Sequence, residues 1–68
     1  MEYTITIFYD SEADVYIAIN NAIGLILEDE NIEVLKERVK AAIPELLTLN
    51  KVSIKKPITF SFNYKGEL

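Results

Sequence analysis

The sequence predicts a small α+β domain: a two-layer βββαβ unit with one mainly antiparallel sheet and one principal helix kinked near Pro44. Three observations lead there. The stretches 3-YTITIFY-9 and 58-ITFSFNY-64 alternate between two side-chain sets, the period of a half-buried strand. Between residues 32 and 46 the apolar residues instead return every three or four positions, the period of a helix with one buried stripe. Polar clusters at 10-DSEAD-14, Asn20–Asn21 and 28-EDEN-31 separate these patterns as turns and connectors do.

Each element has its own signal. Tyr3, Ile5, Ile7 and Tyr9 share one face of the first strand, with Thr4, Thr6 and Phe8 on the other. A turn at residues 10–14 leads into 15-VYIAI-19, where Val15, Ile17 and Ile19 share a face, so the two runs read as a hairpin. Asn20 and Asn21 suit a tight turn before a third strand, 23-IGLIL-27, where Gly24 marks a bend. Asn31 is the expected N-cap, because its side-chain oxygen can accept an orphan backbone N–H. From there Ile32, Leu35, Val39, Ala42, Ile43 and Leu46 form the apolar stripe.

Proline inside a helix removes one hydrogen bond and clashes with the preceding turn, so the helix is expected to run from Ile32 to about Ile43. A kinked or separate turn then follows at 44-PELL-47, with Leu46, Leu47 and Leu49 closing the bottom of the core. Val52 and Ile54 are expected to add a short edge strand in a lysine-bearing connector before the last strand. No internal repeat or linker is visible, and residues 1–68 read as a single domain.

Composition narrows the chemistry. The chain has no cysteine and no histidine, which excludes disulfides, cysteine-based zinc sites and nucleophilic systems relying on histidine. Its longest apolar run, Ala22 to Leu27, is far short of the roughly 20 residues that cross a bilayer. Met1 leads into a strand pattern without a basic leader, so the expectation is a soluble cytoplasmic protein with no membrane contact. Half of the residues are apolar, more than one thin core hides, so a homodimer is expected.

Charge is divided unevenly. Residues 1–35 hold eight acids and no Lys or Arg, whereas residues 36–68 hold all seven basic residues and three acids. The halves carry −8 and +4, consistent with the net −4. An acidic half repels phosphate and attracts basic protein surface, so direct nucleic-acid binding is not expected. Lys51, Lys55, Lys56 and Lys65 lack arginine and clustered aromatics beside them, and read as solvated.

One helix covers one face of a four-stranded sheet. The uncovered face is expected to carry Thr4, Thr6, Phe8, Tyr16, Ala18, Ile26, Thr59 and Ser61, a mixed surface suited to a second protein chain.

The stretches 10-DSEADVYIAI-19, 24-GLILEDENIEVL-35 and 43-IPELLTLN-50, in that order and spacing, make the chain resemble the HicB-like antitoxins of bacterial toxin–antitoxin pairs. The likeness is to their short branch, domain of unknown function 1902, and covers about residues 3–64. Ile23 departs from the proline common before the Gly-Leu pair. Many HicB proteins carry a C-terminal DNA-binding module. This chain ends four residues after its last strand pattern, so neither that module nor operator binding is expected.

The resemblance implies a HicB-like, partial RNase H-like fold and a non-catalytic protein that binds and neutralises a small basic RNA-cleaving toxin of the HicA type. Asp10, Glu12, Asp14, Glu28, Asp29 and Glu30 would steer and hold that partner, with Phe8, Tyr16 and Ile26 as apolar anchors. The alternative is a homodimeric structural or adaptor protein with another partner. An RNase H-type metal site needs convergent carboxylates. Asp10 lies at or past the end of its strand and Glu28, Asp29 and Glu30 are successive, so no enzyme, metal or cofactor is expected.

Overall fold

The computed structural model describes residues 2–51 and 58–67. In chain order the elements are β1 (Glu2–Asp10), β2 (Val15–Asn20), β3 (Leu25–Asp29), α1 (Ile32–Leu49) and β4 (Thr59–Glu67). Among the described residues they form one four-stranded mixed sheet, ordered β3-β2-β1-β4, with a single helix on one face. The first three strands make an antiparallel meander, and β4 joins β1 in parallel. A parallel partner needs a long crossover, and α1 supplies it by carrying the chain from one edge of the sheet to the other. The edge strand expected from Val52 and Ile54 lies outside the described residues.

The β1–β2 connection is tighter than its composition suggests. Asp10 still pairs with Val15, leaving residues 11–14 as the turn. Asp10 Oδ1 accepts the backbone N–H groups of Glu12 (3.0 Å) and Ala13 (3.4 Å), and Asp14 takes a left-handed φ of 57°. Tyr9 Oη donates to the Asp14 carboxylate, and the Tyr9 and Tyr16 rings stand 5.1 Å apart.

This pairing decides which way β2 faces. Ile7 lies opposite Ala18 and Phe8 opposite Ile17. Ala18 is therefore buried under the helix and Tyr16 packs against the core, while Val15, Ile17 and Ile19 turn to the other face. The expectation that Tyr16 and Ala18 lie on the uncovered face is corrected. A one-residue change of register exchanges every side chain of a strand between faces.

The turn into β3 also differs. Asn20 Oδ1 accepts the N–H of Ala22 (2.9 Å) and Ile23 (3.3 Å), and its Nδ2 donates to the Thr4 carbonyl (2.8 Å). The left-handed residue is Gly24, at φ +70°, a conformation that glycine adopts without the Cβ penalty. The third strand accordingly starts at Leu25, later than its apolar run, and continues through Glu28 and Asp29.

Asn31 caps α1 as its chemistry demands, its Oδ1 accepting the N–H of Glu33 (2.9 Å) and Val34 (3.1 Å). The helix does not end near Ile43: it is one 18-residue element that continues through Pro44, from Ile32 to Leu49. Pro44 is exposed, so the carbonyl left without an N–H partner faces water, and Thr48 Oγ1 donates to the Pro44 carbonyl (3.0 Å). Continuing the helix brings Leu47 into register with Leu35, Val39 and Ile43, all buried. Leu46 is half-buried and Leu49 is exposed, so Leu49 does not close the core. Asn50 ends the helix, with Nδ2 donating to the Leu46 carbonyl (2.8 Å) and to that of Ile23 (3.3 Å).

The core consists of Ile5, Ile7, Ala18, Ile23 and Leu25 from the sheet side against Leu35, Val39, Ile43 and Leu47. The helix runs closest to β3 and β2. Consequently the column Phe60, Phe62 and Tyr64 on the same face of β4 is covered less well, and Tyr64 remains 51% exposed.

Candidate functional site

Strand pairing brings the two acidic segments together. Because Asp10 pairs with Val15 and Tyr16 with Asp29, the β1–β2 turn and the end of β3 flank the same end of β2. Asp10, Glu12, Asp14, Glu28, Asp29 and Glu30 thus share one end of the sheet, beside the N-terminus of α1.

Their carboxylates divide into two groups. Asp10 and Asp14 are engaged in the turn described above. Asp29 Oδ1 accepts the Asn31 N–H (2.9 Å), and its Oδ2 meets Arg38 Nη1 at 3.3 Å. The same Arg38 nitrogen donates to the Glu28 carbonyl (2.8 Å), tying the end of β3 to the helix. Among the described residues, the carboxylates of Glu12, Glu28 and Glu30 have no hydrogen-bond or ion-pair partner. Three of the six acids therefore shape the chain locally, and the other three are available to a second molecule. Among the described residues no three Asp or Glu side chains gather as a metal ion would require.

The uncovered sheet face continues from this acidic end. Its β2–β3 half is apolar, with Val15, Ile17 and Ile19 along β2, Phe8 opposite Ile17, and Ile26 opposite Ile19. Ile26 is 69% exposed, and Glu28 lies opposite Ile17 on the same face. The β1–β4 half is polar, pairing Glu2 with Thr59, Thr4 with Ser61, and Thr6 with Asn63. Phe8 and Ile26 thus stand where the sequence placed them. Tyr16 does not, and Ile17 and Ile19 take its place. The signal for them was present as the Val15–Ile17–Ile19 alternation, but that alternation fits either face.

A second exposed feature lies on the helix side. Phe60 and Phe62 meet edge to face at 5.7 Å, and Phe62 and Tyr64 stand 6.5 Å apart. Lys36 Nζ lies 5.8 Å from the Phe62 ring centre and 5.2 Å from that of Tyr64, while also pairing with Glu33 at 3.6 Å. The Tyr64 side chain, and then Glu33, raise the Lys36 ammonium above the usual lysine range.

No described helix is long and apolar enough to cross a membrane. Neither a curated protein nor a solved structure matches the chain at a significant level. A family model does match, over residues 2–67, nearly the whole length. The chain belongs to the family described as Domain of unknown function (DUF1902).

Proposed function

We propose that this protein is a non-catalytic, antitoxin-like docking protein of the cytoplasm, similar to the HicB-like antitoxins, that binds and neutralises a small basic RNA-cleaving toxin. The observation that carries the reading is the meeting of an acidic end and an apolar strip on one continuous surface. Glu12, Glu28 and Glu30 project charge that steers a basic protein to this end. Phe8, Ile17, Ile19 and Ile26 then supply apolar surface that water leaves on docking. Charge sets the encounter and orientation, and the apolar strip sets the lifetime of the complex. Covering a toxin's basic RNA-binding surface with acids would block its substrate directly.

The test is co-purification with the product of the adjacent reading frame, together with rescue of growth when that product is expressed. The complex should form and growth should recover. Absence of both would remove the proposal. In a complex of this kind, changing Glu12, Glu28 and Glu30 together to Gln slows association roughly tenfold at low salt and much less at high salt.

A further inference from the structure

We propose that two copies of this chain pack sheet on sheet through the face opposite α1, about a two-fold axis that crosses the strands beside Ile19 and Ile26. The second copy covers the strip assigned above to the toxin, so on that reading the two partners exclude each other. Self-association is measured on this chain alone and does not depend on that reading.

This face is divided into two halves along the strand direction. Ile26 on β3, Ile17 and Ile19 on β2 and Phe8 on β1 make one half apolar, while the pairs Thr4–Ser61 and Thr6–Asn63 make the other polar. The helix lies on the opposite face, and Ile26 remains 69% exposed. A large aliphatic side chain left in water among apolar neighbours marks a surface that a second apolar surface completes.

Two aligned sheets can face each other symmetrically in two ways. An axis along the strands lays β3 over β4 of the other copy, so the apolar strip meets hydroxyls and amides and the two acidic ends coincide. An axis across the strands lays each strand antiparallel over its own counterpart. Ile26 then meets Ile26, Ile19 meets Ile19 and Thr6 meets Thr6 of the other copy, so apolar packs on apolar and polar on polar. The acidic ends now point in opposite directions. Glu28 lies two residues from Ile26, which places the two copies of Glu28 ~13 Å apart along the strands and ~10 Å apart across the sheets, farther than the ~8 Å screening length. Charge therefore selects the same axis as apolar burial does. A foreign sheet would have to reproduce the division into halves, whereas a second copy carries it by symmetry. The four strands, at ~4.8 Å spacing and ~3.3 Å rise per residue, offer roughly 450 Å² per copy, close to 1,000 Å² for the pair. That is the lower bound of a specific interface, so the dimer forms at micromolar concentration.

The experiment follows the mass of the full chain by sedimentation equilibrium from low to high micromolar concentration. The wild type should pass from the 7.8 kDa of one chain to twice that mass. Ile26 lies outside the core, so Ile26→Asp and Ile26→Lys leave the packing of one copy intact. Each should weaken the dimer roughly tenfold or more, because like charges then face each other across the axis. Mixing the two variants should restore it. Val34 is also exposed but lies on α1, away from this face, so Val34→Lys should dimerise as the wild type does. A variant that unfolds alone still tests the proposal, since the mixture should recover a folded dimer. A wild type that stays monomeric, undiminished pairing of either Ile26 variant, equal weakening in Val34→Lys, or a mixture that fails to pair would each overturn it.

Discussion

The two edge strands of this sheet differ in pairing, antiparallel at β3 and parallel at β4, and in what surrounds them. At the β3 edge the helix lies close above, Arg38 holds the last turn of strand to α1, and acids crowd the end. At the β4 edge the strand is long, uncharged in its first six residues and flanked by half-exposed aromatics. The difference shows how a domain with one helix distributes its cover. The helix completes the core over the meander, and the parallel strand added last is left with surface to spare. Among the described residues one side of the sheet is thus closed by the helix, while the aromatic column on the other stays partly exposed.

The largest effect should come from the finished side. Leu47 is fully buried only because the helix continues past Pro44, so Leu47→Ala should cost about 2–5 kcal/mol. For a domain this small that approaches the whole stability, and urea denaturation followed by circular dichroism would measure it. A loss under ~1 kcal/mol would mean that the last helical turns do not belong to the core.

Next in size is the cap that starts the covering helix. Asn31→Ala removes the acceptor for two backbone N–H groups and should cost about 1 kcal/mol, or roughly 4–8 °C in Tm. Asn31→Gly should cost only a few tenths of that.

Arg38→Ala sharpens the contrast between the edges directly. Its contacts are partly exposed, so the stability loss should stay near ~0.5–1 kcal/mol. Exchange of the amides at Glu28 and Asp29 should nevertheless quicken more than elsewhere. A uniform change along the chain would argue that Arg38 does not secure this edge.

The smallest effect concerns Lys36, poised between the helix and the aromatic column. Its ammonium titrates above the ordinary lysine value because of Tyr64 first and Glu33 next. A raised folded-state pKa stabilises the fold fully below the unfolded lysine pKa, and that contribution fades as pH rises through the folded one. Lys36→Met should therefore flatten the pH dependence of stability above about pH 10, the range where unperturbed lysine titrates, and change it little at neutral pH. Equal loss at both pH values would assign Lys36 a packing role alone.

Much of this arrangement was legible in the residues. The order βββαβ, the Asn31 cap and the stripe Leu35–Val39–Ile43 all follow from local chemistry, which needs no knowledge of the rest of the chain. The facing of β2 depends on something less local. Reading 10-DSEAD-14 as a five-residue turn closes the hairpin at Tyr9 and Val15 and sends Ile17 inward. The observed pair is Asp10 with Val15, one residue tighter, and it sends Ala18 inward instead. Both choices bury an alternating apolar set, so periodicity cannot separate them. What separates them is packing: the small Ala18 side chain leaves room for a helix lying close over β2 and β3.

Pro44 gives a similar lesson. Its cost to the helix is real, but an exposed position lets water meet the freed carbonyl while Leu47 gains burial. The acids divide for a third reason. Their identity was plain, yet the roles of Asp10, Asp14 and Asp29 in turns and of Glu12, Glu28 and Glu30 as unengaged charges depend on backbone geometry.

Amide hydrogen exchange resolved by residue, without and then with the basic partner, tests the role of the acidic end most directly. The expected result is that residues 11–14 and 26–30 slow when the partner is present, while the amides of the buried helical stripe keep their rates. Unchanged exchange at the acidic end on adding the partner would contradict it.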